Sequence, residues 1–207
     1  NRTLFQDRLT QALDAERRGG GSLALALIDL ERFKAINDTL GQHIGDRILQ
    51  VLAQRLKVAA GDIHRVARLG GNLFALMFQG ISGAEEGARR LEQKTAAAVG
   101  LPIQIDKHDI RLAAKAGIAV FPDDGTDADA LFRNAEAALK RAKKTGERYL
   151  FYAPHINARV SEQVELEHRL RRAVEQGELF LHFQPKIALG TRRIVGLEAL
   201  MRWTGPD

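Results

Sequence analysis

The stretch "RLGGNLFALMF", residues 68–78, decides how the rest of the chain is read. A short strand, two glycines and a strongly apolar strand make the pattern of a β-hairpin. Its tip is unusual. Where an exposed turn would present carboxylates to a ligand, this chain has Asn72 and Leu73, a neutral amide and an aliphatic side chain.

Working outward, "SLALALIDL" (22–30) reads as a buried strand with Asp29 near its exit. Upstream, Leu4, Phe5, Leu9 and Leu13 recur at helical spacing until "RRGGGS" ends the helix. Between strand and hairpin, "ERFKAINDTLGQ" reads as a short helix broken by Gly41, and Ile44, Ile48, Val51, Leu52 and Leu56 give the apolar face of a second. Downstream, "AEEGARRLEQKTAAAVG" is helical, and "LPIQID" and "IRLAAKAGIAVF" are strands joined through "KHD". "PDDGTD" breaks the chain before a helix whose face is Leu131, Phe132, Ala135, Ala138, Leu139 and Ala142, and "RYLFY" closes the sheet. Consecutive strands at two hairpins predict an α/β (α+β) domain with a mixed, largely antiparallel central sheet flanked by helices.

A domain boundary is expected after Tyr152. Residues 153–176 predict a charged connector helix with a stripe of Val160, Val164, Leu170 and Val174, and residues 177–207 begin a second domain with a short β-hairpin around "LGTRR". Thirty-odd residues bury no core of their own, so that domain is expected to continue past Asp207.

Composition narrows the function. The chain has 207 residues, 45% of them hydrophobic, and no cysteine, which excludes disulfides and thiolate metal sites. The formal charge of +5 comes from basic residues interleaved with acidic ones, as on solvated helix faces, so no nucleic-acid partner is expected. No apolar run reaches membrane-spanning length and no signal peptide is evident, so a cytoplasmic location is expected, with any membrane anchor upstream. His43, His64, His108, His155, His168 and His182 show no paired metal spacing and are expected at the surface or at interfaces.

Several segments together resemble the GGDEF domain of diguanylate cyclases: "NRTLFQDRL", "LIDLERFKAINDTLGQHIGD", the hairpin, "AGIAVFPDDGTDADALFRNAEAALKRAKKTG" and "YLFY", covering residues 1–152. "FQPKIALGTRRIVGLEALMRW" resembles the opening of an EAL domain, the cyclic-di-GMP phosphodiesterase fold. The first resemblance implies a nucleotidyl-cyclase, palm-like fold in which two GTP molecules on two facing domains condense with the help of Mg²⁺ or Mn²⁺, and hence a homodimer in the parent protein.

The same resemblance assigns Asp29 as a metal ligand; on sequence alone it serves equally well as a helix cap. Asn37 and Asp46 match the positions that read the guanine edge, against plain alternatives of a turn residue and a helix N-terminal charge. Lys34 and Lys143 match positions facing the triphosphate, or are simply solvated. The motif Gly70, Gly71, Asn72, Leu73, Phe74 lacks the family's acidic pair, which predicts a catalytically degenerate domain with weak metal binding, because hard dications need charged oxygen ligands. Gly146-Glu147-Arg148 puts an acid where the family has a basic residue. The family's inhibitory Arg-x-x-Asp would fall at Gly61 to His64 and is absent.

In the EAL segment the resemblance assigns Glu198 to a metal and Gln184 and Arg202 to cyclic-di-GMP in the parent, while Glu198 also suits the polar face of a strand. The remaining catalytic residues would lie beyond Asp207, and the sensory input before Asn1. Three functions follow: a degenerate, GTP-holding domain regulating an EAL phosphodiesterase; an active cyclase; or a dimerisation module.

Overall fold

A computed structural model of the chain describes residues 2–62, 65–153, 166 and 169–204. The chain divides into two compact units, Asn1–Val160 and Ser161–Asp207.

The first unit is built around strand β1 (Ser22–Leu30), whose residues 23 to 28 are fully buried on both faces. Alternating Leu23, Leu25 and Leu27 on one side and Ala24, Ala26 and Ile28 on the other leave a central position as the stable one, each large side chain contributing about 1.5–3 kcal/mol of burial. β3 (Leu73–Ile81) and β6 (Ala114–Phe121) flank it antiparallel; β2 (Val66–Gly70) adds antiparallel to β3, and β7 (Tyr149–Phe151) adds parallel to β6. The sheet order is β2-β3-β1-β6-β7, the mixed, mostly antiparallel sheet that the sequence predicts.

Helices α1 (Arg2–Gly19) and α5 (Ala128–Thr145) cover the Leu25 face, with Phe5, Leu9, Leu13, Leu131, Phe132, Ala135 and Leu139 in one core. On the other face α4 (Ala84–Val99) lies over Ala24, and α3 (Gln42–Ala60) packs beside it. The short α2 (Phe33–Leu40) joins β1 to α3 through Gly41, whose φ of 90° suits glycine. All six apolar positions expected on α5 are buried. On α1, Leu4 is 47% exposed and Ala12 is buried in its place. The buried stripe runs Phe5, Leu9, Ala12, Leu13, and Leu4 is turned off it by one residue's rotation.

The expected strand "IRLAAKAGIAVF" is in fact two. β5 (His108–Ile110) pairs with β4 (Ile103–Ile105) in a separate hairpin, and β6 starts afresh at Ala114. The interruption at 111–113 is where the chain changes sheets, and the Ala113 carbonyl there accepts from the Glu31 N–H at 2.8 Å.

α5 approaches β6 backbone to backbone at Gly117. A Cβ on that residue would stand 2.1 Å from the Leu139 nitrogen and 2.2 Å from the Ala135 oxygen, so only glycine fits.

In the second unit, β8 (Leu179–Ala188) and β9 (Arg193–Trp203) form an antiparallel hairpin preceded by helix over 169–176. The Trp203 indole N–H donates to Glu178 at 3.0 Å, and the Arg169 guanidinium covers its ring at 5.1 Å. Val160 and Val164 of the expected connector stripe lie outside the described residues, whereas Leu170 and Val174 are exposed at 42% and 63%.

Replacing Gly117 by Ala is expected to lower stability by about 1–3 kcal/mol, because α5 must lift off the sheet; urea unfolding midpoints measure it. A second expectation concerns acid. Glu86 caps α4, accepting from the Ser82 N–H and O–H at 2.8 Å each, with Arg90 beside it, and these bonds hold its carboxyl at about 2 instead of 4.5. A depressed carboxyl lends stability that is complete above 4.5 and lost as pH falls through about 2. Glu86→Gln is expected to flatten that part of the pH profile of the unfolding midpoint.

Candidate functional site

Asp29 lies in the last turn of the β1 pleat, on the same face as Leu25 and Leu27. Its cross-strand neighbours on that face are Leu73 of β3 and Lys115 of β6. Above it stands α5, where the buried Ala135 and Leu139 are followed one turn later by Lys143. The helical period therefore delivers an ammonium to the place where the apolar stripe would otherwise continue. Lys143 Nζ lies 2.8 Å from Asp29 Oδ2, with side-chain exposures of 46% and 16%. The capping alternative for Asp29 is not realised: the N-cap of α2 is Arg32, left-handed at φ 54°, without a side-chain cap bond.

Lys115 was not singled out in the sequence, although a lone lysine inside the apolar "AAKAGIAV" was its signal. It is 9% exposed, and its ammonium donates to the carbonyl of Gly146, the C-cap of α5. A cation there also favours the negative end of the helix. Asp29 is thus flanked by one aliphatic side chain and two lysines.

The hairpin tip is less exposed than its sequence suggests. Asn72 is half-buried, its Nδ2 donating to the Leu30 carbonyl at 2.7 Å, while the Asn72 carbonyl accepts from the Leu30 N–H at 3.3 Å. The amide thus ties the turn to the end of β1. Leu73 belongs to β3 and packs partly buried against the core. Gly70 and Gly71 carry the positive φ values of the turn, 142° and 50°, and Phe74 is fully buried.

Asn37 lies in the last turn of α2, its carbonyl accepting from the Gly41 N–H at 2.9 Å, and Asp46 lies on the second turn of α3. Asn37 Oδ1 is buried without a hydrogen-bond partner. It lies over Gly45, where a Cβ would come within 1.8 Å of it, so the missing side chain makes room for the amide. Asp46 is exposed, and its neighbour Arg47 binds Asp106 at 2.7 Å, holding that carboxyl below the usual carboxylate range. Lys34 is exposed on the first turn of α2. Glu147 and Arg148 are exposed just past α5, and the Arg148 carbonyl accepts from Ala116. Of the expected inhibitory position, Ile63 and His64 lie outside the described residues.

A metal ion fits this set poorly. Mg²⁺ and Mn²⁺ seek several oxygens with carboxylates among them. Here one carboxylate already carries an ammonium, the nearby amide points its nitrogen at a carbonyl, and Leu73 has no donor atom. Among the described residues no three His, Cys, Asp or Glu side chains converge as a metal site. A groove of about 280 Å³ lined by Ile28, Leu91, Thr95, Ala116 and Tyr149 also takes in Lys115, and Asp29, Asn37, Asp46, Lys34 and Lys143 are not among its lining.

In the second unit, Gln184 and Glu198 are directly opposite on the β8–β9 ladder, and Arg202 follows on the same face four residues later. Glu198 pairs with Lys186 at 3.4 Å, and all of these residues are exposed. His43, His108 and His182 are exposed; His64, His155 and His168 lie outside the described residues.

Comparison with known proteins gives this geometry its family. A model described as diguanylate cyclase, GGDEF domain, matches residues 1–149, and one described as EAL domain matches residues 167–207. The bifunctional diguanylate cyclase/cyclic di-GMP phosphodiesterase MucR of Pseudomonas aeruginosa is 39% identical over 208 residues, spanning 100% of this chain and 30% of that protein. The cyclic di-GMP phosphodiesterase NbdA of the same organism is 33% identical over 207 residues, spanning 100% of this chain and 26% of its own length. The crystal structure of the GGDEF domain of TpbB, also from Pseudomonas aeruginosa, matches with a TM-score of 0.68 at 30% identity, covering 73% of this chain and 94% of that one. The chain therefore spans under a third of the length of these two curated relatives. Domains of the GGDEF and EAL families generally use Mg²⁺ or Mn²⁺. The palm-like sheet, the glycine hairpin and the match over residues 1–149 agree: the chain belongs to the GGDEF family, with an EAL match following.

Proposed function

We propose that residues 1–152 form a catalytically silent, guanine-nucleotide-holding GGDEF domain of a cyclic-di-GMP signalling protein, which regulates an adjoining EAL phosphodiesterase through the segment 153–176. One observation carries the silent half. The turn residue Asn72 donates to the Leu30 carbonyl, and Leu73 stands beside Asp29, so the pocket has one carboxylate where phosphoryl transfer needs several anionic groups. That shortfall amounts to several kcal/mol of lost transition-state stabilisation, or several powers of ten in rate.

The nucleotide half rests on Asn37. Its buried Oδ1 lacks a donor, and the guanine edge supplies N–H groups from N1 and the 2-amino nitrogen. Asp46 is a second acceptor nearby in sequence, and Lys34 and Lys143 supply charge for the phosphates. The first N–H groups of α2, without a side-chain cap, suit a phosphate as well. In the parent, Gln184, Glu198 and Arg202 would face cyclic-di-GMP from one face of the EAL hairpin.

The similarity to MucR, a bifunctional diguanylate cyclase/cyclic di-GMP phosphodiesterase, favours a second reading in which this domain is active. Chromatography of the full chain incubated with GTP and Mg²⁺ separates the two: no cyclic dinucleotide is expected, and product at ordinary enzymatic rates would discard the silent reading. In calorimetric titration Asn37→Ala is expected to weaken GTP binding about tenfold, the worth of one hydrogen bond. Asn72→Asp tests the turn itself. A carboxylate there cannot donate to Leu30, and a loss of about 1–3 kcal/mol in denaturant stability is expected.

A further inference from the structure

Lys143 does more at Asp29 than balance charge. Its ammonium lies 2.8 Å from Oδ2, close to where a divalent ion would have to stand, since Mg²⁺ binds a carboxylate oxygen at about 2 Å. An ion entering there would meet that ammonium at close range, with Lys115 on the neighbouring strand as a second fixed cation. Lys143 starts from a helix seated backbone to backbone on β6 at Gly117, and Lys115 is almost fully buried and bonded to the Gly146 carbonyl. Asn72, on the hairpin tip beside the end of β1, offers its amide hydrogens to the Leu30 carbonyl.

We infer that Lys143 takes the place of the divalent ion, so that the pocket receives a guanine nucleotide as the metal-free triphosphate. The inference rests on the nucleotide reading given above. An ammonium has three N–H donors; Asp29 takes one, and Lys143, still 46% exposed, turns the others toward solvent and an incoming phosphate oxygen. The uncapped start of α2 and Lys34 lie on the segment that leaves β1 immediately after Asp29, and both favour an anion whose charge has not been masked by Mg²⁺. Bound Mg²⁺ on the triphosphate would weaken these contacts and meet like charge at Asp29.

The test is calorimetric titration of the full chain with GTP, once in EDTA and once in excess Mg²⁺. The affinity in EDTA is expected to equal or exceed that in Mg²⁺. Lys143→Gln should weaken binding in EDTA at least tenfold while Lys143→Arg retains it, with circular dichroism confirming the fold of both. Binding that appears only with Mg²⁺, or a Lys143→Gln variant that binds as the parent does in EDTA, overturns this inference and leaves the nucleotide reading standing. Absence of binding in both buffers overturns the two together.

Discussion

Everything in the first unit follows from the double-sided burial of β1. A strand with Leu on one face and Ala or Ile on the other is stable only between two neighbours and under helices on both sides, so β3, β6, α5 and α4 are arranged around it. Asp29 is the residue at which that apolar run ends. Its surroundings are inherited from the strands beside it, and its position depends on the same burial that holds the domain together. Asp29 therefore takes its backbone position from the core, even though it lies at the edge of it.

The charge pattern at that edge is consistent from every direction. β6 contributes a lysine, α5 contributes another, the hairpin contributes an amide hydrogen directed inward and an aliphatic side chain, and only β1 contributes an acid. The proposed silent reading rests on this balance of charge, because hard dications seek several charged oxygens. At the other end of the short α2, Asn37 keeps an acceptor buried without a donor, a cost of about 1–3 kcal/mol in a folded protein unless something fills it. The two features lie on adjoining elements, and under the proposed function they would serve the two halves of one ligand, a base edge and a chain of phosphates.

Much of the fold was legible in the sequence because period and burial coincide. The apolar stripe of α5, the alternation of β1 and the glycine pair at 70 and 71 each have one structural solution, and the structure adopts it. Leu4 misled because a leucine beside a phenylalanine at a helix start looks like part of the stripe, and only the phase of Phe5, Leu9 and Leu13 shows otherwise. The strand beginning at Ile110 misled for a different reason. Its hydrophobicity is continuous, while its hydrogen-bonding partners change, and partners are not written in hydrophobicity. The site divides in the same way. Asp29, Asn37 and Asp46 stood out through resemblance, but the pairing of Asp29 with Lys143 joins residues more than a hundred positions apart and depends on how closely α5 sits on Gly117. The donor role of Asn72 was likewise hidden, since an amide's sequence says nothing of which end it presents.

The Asn72 bond also has a meaning for descent. A turn that has taken up a side-chain hydrogen in its own fastening is no longer a vacant position awaiting an acid. Were an ancestor of this chain to have carried a carboxylate there, the way back would lead through an intermediate with oxygen facing oxygen and a loosened hairpin.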